Sequence, residues 1–327
     1  MVGLQNTSDK PHSESLRHLS GASDVRGLFD VVRHYGTIAA LIWIACTLNN
    51  PLVSIAAFIV IGALQHGMSS LQHEAWHYLC FRSHKVNDFF GAWFYAYPLG
   101  GFFYFNQVRH RGHHAYFGSA KDPDRETYIN VERDTPQRFV SYFIGLLFGK
   151  FLLVKLAQVF SPKKQELPGL DLKSRNMPNT KIELVCVAIA QFILMAIFTL
   201  AGNFWNYWLF WFLPLVTVAP FLEVYRQFIE HANPYSDDIP SNDRLFDFDA
   251  NIWERFFIAP IHFHLHALHH SFPKIPHYRL KQAKKEALAK GLNYTRTERK
   301  GYIACLVEHM RGLEKKLLEE QAPTISG

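Results

Sequence analysis

The residues best suited to chemistry lie in three histidine clusters: His73-Glu74-Ala75-Trp76-His77, His110-Arg111-Gly112-His113-His114 and His266-Ala267-Leu268-His269-His270. Positions i, i+3 and i+4 share one face of a helix, so each cluster can aim its rings at one point. Neutral imidazole is a good ligand for iron, zinc, copper and nickel. Eight rings exceed the about four ligands that one zinc takes, and the surplus points to a two-metal centre. Without a metal, rings buried together would repel as cations, or as neutral groups would need several hydrogen-bond partners.

The first cluster also fits H-E-x-x-H, the spacing in which two histidines hold zinc and the glutamate serves as base. A membrane zinc peptidase is therefore one reading, but it leaves the other six cluster histidines unexplained. In a larger centre Glu74 becomes a carboxylate that orients a ligating ring.

The elements that must position these clusters are apolar helices. Mean hydropathy is only −0.05, yet the apolar residues are concentrated: Gly36–Leu48, Leu52–Leu64 and the 38 residues Val185–Leu222 carry no charge. A helix needs roughly 20 residues to cross the hydrocarbon, so the last run holds two spans with Asn203 and Asn206 at their turn. The expected fold is an all-α integral membrane protein with four transmembrane helices, interfacial helices and a cytoplasmic, histidine-rich di-metal cap. Spans are expected at about 35–48, 52–71, 182–201 and 205–224, the first with Arg33 and His34 snorkelling at its end. Asn49-Asn50-Pro51 breaks the first pair.

Phe89–Phe105 is apolar but holds Pro98-Leu99-Gly100-Gly101, which suits a segment (about 89–105) that enters and returns on the same side. A full crossing would put the second cluster on the opposite face from the first. Arg138–Val159, interrupted by Lys150 and Lys155, reads as an interfacial amphipathic helix, followed by a Pro- and Lys-rich connector from Ser161 to Thr180. The expected organisation is a polar, disordered segment 1–30 (disorder reaching about Ser23), a membrane domain 31–295, and a cytoplasmic C-terminal helix and tail 296–327. The N-terminal segment lacks the apolar core of a signal peptide.

The net charge of +6 and a pI near 9.0 do not imply nucleic acid. Lys and Arg recur between Arg82 and Lys181 but are absent from the turns around Asn49–Pro51 and Gly202–Asn206. That asymmetry is the positive-inside pattern and places the long segments, both termini and the clusters in the cytoplasm. Cys46, Cys80, Cys186 and Cys305 are scattered, with neither a disulfide framework nor a Cys-x-x-Cys site.

The ordered clusters between membrane spans resemble the membrane fatty acid desaturase superfamily, whose pattern is H-x₃₋₄-H, H-x₂₋₃-H-H and H/Q-x₂₋₃-H-H. The flanks agree: Lys121-Asp122-Pro123-Asp124 after the second box, and His269-His270-Ser271-Phe272-Pro273 with Ile275-Pro276-His277-Tyr278 after the third. The resemblance covers roughly His73 to Leu280. It implies two non-haem irons bound almost wholly by histidine, activation of O₂, and oxidation of an unactivated C–H bond. It also implies a further ligand before the third box, a place that His231 fills. The implied ligands are His73, His77, His110, His113, His114, His231, His266, His269 and His270. Gln227 lies where some relatives carry an amide that reaches the metal through water, though an amide at the lipid boundary is an equal reading. Asp122 and Asp124 are candidates to orient ligating rings.

Among the other histidines, His66 lies inside a span and reads as a core residue. His264 stands where many relatives carry asparagine, and His84 and His277 read as surface or supporting groups.

The resemblance implies an acyl-chain desaturase. A hydroxylase or ketolase of the same superfamily, a zinc peptidase and a non-catalytic metal-binding membrane protein remain alternatives. The boxes do not separate alkene from alcohol formation, because that choice depends on substrate placement by ångströms. The sequence contains no haem or Cys₄ pattern, so a separate donor of ferredoxin, rubredoxin or cytochrome b5 type, with its reductase, is implied. An alkyl substrate would enter from the bilayer. The aromatics of Trp93–Phe105 and Trp205–Phe212 would line its channel or, more in keeping with their composition, face lipid at the interface.

Overall fold

The computed structural model describes residues 14–125, 134–160, 179–231, 245–292, 294 and 298–321; most of the expected connector and the outermost terminal residues lie outside these. Helix α1 (Asp24–Leu48) and helix α2 (Pro51–Trp76) form an antiparallel hairpin. The three residues at its turn each have a task. Asn49 ends α1 in the left-handed conformation (φ 45°), Asn50 Oδ1 accepts the Leu52 N–H at 2.9 Å as N-cap, and Pro51 takes the first helical position.

α1 starts eleven residues before the expected Tyr35. Its added turns are largely exposed but hold two buried polar residues, Asp30 and His34, with His34 Nδ1 donating to the Asp30 carbonyl at 2.8 Å. His34 therefore does not snorkel. Ahead of it, Leu16 and Leu19 are buried against Leu265, Leu268 and Phe272. Part of the segment expected to be disordered is thus ordered, because two leucines plug a groove made by residues far along the chain.

After α2, helix α3 (His84–Phe90) runs through a π turn (Gly91–Ala96) and a 3₁₀ turn (Tyr97–Leu99), then reverses at Gly100 (φ 71°) into helix α4 (Phe103–Tyr116). The reversal lies within the stretch where a returning segment is expected. Irregular backbone packed among apolar helices needs polar partners from the protein itself, and they are present. Gln191 Nε2 donates to the Tyr97 and Pro98 carbonyls at 3.0 and 2.9 Å, and Trp211 Nε1 donates to the Pro98 carbonyl at 3.2 Å. The first-turn N–H groups of α4, from Tyr104 and Phe105, donate to the two carboxylate oxygens of Glu183 at 3.0 and 3.1 Å. These are the N–H groups a helix start leaves unpaired.

The interfacial segment is two helices, α5 (Pro136–Leu147) and α6 (Lys150–Phe160), divided at Gly149 (φ 82°). α5 buries Phe139, Phe143 and Leu146 and leaves Val140, Ile144 and Leu147 outward. Helix α7 (Thr180–Leu200) turns through Gly202, where Asn203 Oδ1 accepts the Trp205 N–H at 2.9 Å, into the irregular helix α8 (Trp205–His231). α1, α2, α7 and α8 are long and apolar enough to cross a bilayer. On α7, Phe192 is 69% and Leu200 88% exposed, as suits side chains that face lipid. A Cβ on Gly62 of α2 would lie 2.5 Å from Val218 Cβ, so glycine permits the close crossing of α2 and α8.

Beyond α8 lie strand β1 (Asp247–Asp249), helix α9 (Ile252–Phe257), helix α10 (His266–Ser271), helix α11 (Leu280–Ala289), strand β2 (Glu298–Lys300) and helix α12 (Tyr302–Gln321). β1 and β2 pair in parallel. A second core joins α5, the end of α8, β1 and α12 through Phe139, Tyr225, Phe228, Phe248 and Tyr302. Of the aromatics weighed as channel or lipid-facing groups, Tyr95, Tyr97, Phe103, Tyr207, Phe210 and Trp211 are buried, whereas Trp205 is exposed.

Candidate metal centre

α2 ends at the first cluster, with His73 on its last turn and His77 as its C-cap. α4 carries the second cluster, α10 the third, and His231 is the last residue of α8. The two far turns also meet, with Asn206 Nδ2 donating to Cys46 Sγ at 3.2 Å. All nine histidines therefore gather at the end of the bundle opposite those turns.

The rings form two neighbouring groups. One joins His73, His77, His110, His114 and His269; the other joins His113, His231 and His270, with His266 linked through His231. In the five-ring group, and among His113, His231 and His270, one ligand atom per residue lies within 4.8 Å of the rest; His266 meets that distance with His231 and Glu230. The His77 and His110 Nε2 atoms are 2.8 Å apart, and those of His231 and His266 are 3.0 Å apart. The groups touch where the His114 and His270 rings stack at 4.2 Å.

Burial first, then the neighbouring rings, holds His110, His114, His266, His269 and His270 well below the usual histidine pKa. The rings are therefore neutral. His73 Nδ1, His114 Nε2, both nitrogens of His269 and His270 Nε2 have no protein partner among the described residues. Buried polar atoms are seldom left so. Uncharged nitrogen donors with lone pairs turned on a shared point fit a divalent transition metal in each group.

Surrounding groups fix several rings. His113 Nδ1 donates to Asp122 Oδ1 at 2.9 Å, and Asp122 also accepts the Gly118 and Asp124 N–H groups. His231 Nδ1 donates to the Gln227 carbonyl at 2.9 Å, leaving its Nε2 lone pair toward His266.

Other candidates behave differently from expectation. Asp124 pairs with Arg109 Nε at 2.6 Å instead of orienting a histidine. The Gln227 amide donates to Glu223 Oε1 at 3.1 Å, and Glu223 Oε2 accepts from Ser69. Glu74 Oε2 accepts the main-chain N–H of His277 at 2.8 Å, so it grips the chain after the third cluster. The reason is angular: Glu74 is about 100° around the helix from His73 and cannot share its face. His277 Nε2 then meets Asp30 Oδ2 at 3.0 Å, tying that chain to α1. His66 bonds the Ile258 carbonyl and His84 stacks on Tyr78. Neither these two nor His264 enters either ring group.

Sequence reasoning missed the remote carboxylates. Glu183 holds the start of the second-cluster helix, and Asp247 Oδ1 accepts the Leu268 N–H at 3.2 Å inside the third-cluster helix. Glu230 is buried beside His231 and His266. No local pattern marks any of them.

Four membrane-length helices under a double histidine cage define a class of membrane oxidoreductase, and residues 49–299 match the fatty acid desaturase family. The chain belongs to that family. It is also similar to the dihydrorhizobitoxine desaturase of Bradyrhizobium elkanii, 26% identical over 277 residues that cover 80% of this chain and 75% of that protein.

Proposed function

We propose that this chain is an O₂-dependent di-iron membrane desaturase that introduces a C=C bond into an acyl chain. The observation that carries this reading is the convergence of nine imidazoles, six buried and three part-buried, into two adjoining groups at one end of a membrane-length bundle. His73, His77, His110, His114 and His269 would hold one iron; His113, His231, His266 and His270 would hold the other. Bound iron would supply the activation of O₂ that C–H oxidation requires.

The chain's own residues position this chemistry. Asp122 keeps His113 in one tautomer with its far nitrogen free. Glu183 fixes the helix that delivers His110, His113 and His114. The apolar bundle keeps water from the metal face and offers an alkyl chain its most favourable approach, from the bilayer. Electrons would come from a separate small redox protein, and the site and both termini would face the cytoplasm, where basic residues concentrate.

A hydroxylase or ketolase would use the same cage, and the name of the similar Bradyrhizobium protein favours alkene formation. The peptidase reading is disfavoured because Glu74, the base it needs, is turned to His277. The test is expression in a host with simple lipids, with mass spectrometry of lipid and water-soluble extracts. A product lighter by two hydrogens, absent with His113→Ala, is expected. A gain of one oxygen would replace desaturase by hydroxylase, and a product that persists in His113→Ala would overturn the site assignment.

A further inference from the structure

His266 has two edges in use. Its Nε2 lies 3.0 Å from His231 Nε2, on the metal-facing side. Its Nδ1 lies 3.5 Å from Glu230 Oε2, an approach longer than a formed hydrogen bond, and has no hydrogen-bond partner among the described residues. Glu230 is wholly buried and is gripped from two further directions: its Oε1 accepts the Tyr302 hydroxyl at 2.8 Å, and Arg226 Nη1 is 3.3 Å from its Oε2.

These partners are themselves held. Arg226 lies 4.5 Å over the Phe263 ring. Tyr302, fully buried, stacks on Phe248 with ring centroids 4.4 Å apart, and its carbonyl accepts the Tyr225 hydroxyl at 2.8 Å. The next residue, Ile303, donates its N–H to Glu254 Oε1 at 2.9 Å. The start of α12 is therefore immobile, and it lies past residue 299, where the family match ends.

We propose that Glu230 is a positioning residue for the metal centre, orienting His266 through Nδ1, and that the Tyr302 hydroxyl of α12 sets that carboxylate. The proposal rests on the di-iron reading above. A carboxylate on the outer nitrogen fixes the tautomer, turns the Nε2 lone pair to the metal and raises its basicity. The Arg226 guanidinium beside it offsets part of the cost of burying a carboxylate. Asp122 does the same for His113. Both oriented rings belong to the group with His231 and His270, and among the described residues no carboxylate bonds a ring of the five-imidazole group. The two irons would then be unequal in ligand basicity.

The experiment titrates purified full-length protein in detergent with ferrous iron alone, without oxygen, and follows iron content and the Mössbauer spectrum. Wild type is expected to take two irons per chain with two distinct signals. Glu230→Gln and Tyr302→Phe are each expected to weaken one iron by about tenfold or more and to shift only its signal. The double variant should be no worse than Glu230→Gln alone, because the hydroxyl acts through the carboxylate. Tyr225→Phe, which loosens α12 without touching Glu230, should match wild type. Unchanged affinity and spectra in Glu230→Gln and Tyr302→Phe would overturn the proposal, as would equal effects from Tyr225→Phe. If wild type itself takes fewer than two irons, the di-iron reading falls instead and carries this inference with it.

Discussion

The clustered imidazoles lie within a few ångströms of one another, and pH acts directly on those that burial keeps neutral. Burial holds His110, His114, His266, His269 and His270 well below 6.5 in the folded chain. In the unfolded chain they titrate near their ordinary value. Between those limits the unfolded state binds more protons, so stability rises with pH and is lost as pH falls through about 6.5. Asp247 acts in the opposite sense: burial pushes its pKa up to about 6, so its contribution declines as pH rises from its ordinary 3.8 toward 6. Burial raises Asp88 in the same sense, and these two carboxylates are outnumbered by the five histidines. The metal-free protein should therefore melt at progressively lower temperature between pH 7.5 and 5; a flat or rising profile would contradict neutral rings. Asp122→Asn should lower metal affinity about 10- to 100-fold by releasing His113, measurable by iron titration.

The cluster histidines could be read at this scale because their spacing is local and repeated. Glu230 could not: its partner His266 lies 36 positions away by subtraction of their numbers, and a lone buried glutamate has no motif. Glu74 was assigned to a ring because sequence adjacency suggested it, whereas helix rotation turns it to His277.

At the scale of elements, the structure depends on helix starts whose N–H groups are satisfied from a distance. α4 has no side-chain cap of its own and relies on Glu183, which is 79 residues from Tyr104. Glu183→Ala would leave two buried N–H groups without acceptors, at a cost of about 1–3 kcal/mol for each. The thermal midpoint in detergent should fall accordingly, with iron content falling alongside it; an unchanged midpoint would mean that α4 is held by packing alone. The hairpin turns, by contrast, were legible, since Asn-Asn-Pro and Pro-Leu-Gly-Gly state their backbone geometry locally. The extension of α1 to Asp24 was not, because what anchors it is a contact between Asp30 and His277, far along the chain.

Across the whole molecule, the bundle has one chemically active end and one plain end. The far turns meet at Cys46 and Asn206, while the clusters, α9 and α12 gather opposite. If the basic segments face the cytoplasm, then in a Cys46→Ser background, which removes the exposed native thiol of the far turns, Asn203→Cys should react with a membrane-impermeant thiol reagent only from outside intact cells, and Lys121→Cys only after they are opened. Reaction of both from the same side would refute a shared face for the histidines.

The packed cores beneath the cage have a consequence for how the protein acquires metal. Packed apolar side chains hold the helices together beneath the rings, and the last implied ligand, His270, is synthesised long after those on α2 and α4. On the proposed reading, loading would be a late filling of a finished container, unlike small domains whose folding waits on zinc. Chelation should strip iron and leave far-ultraviolet circular dichroism unchanged, so that a cell short of iron would store this protein as an intact vessel ready to be charged.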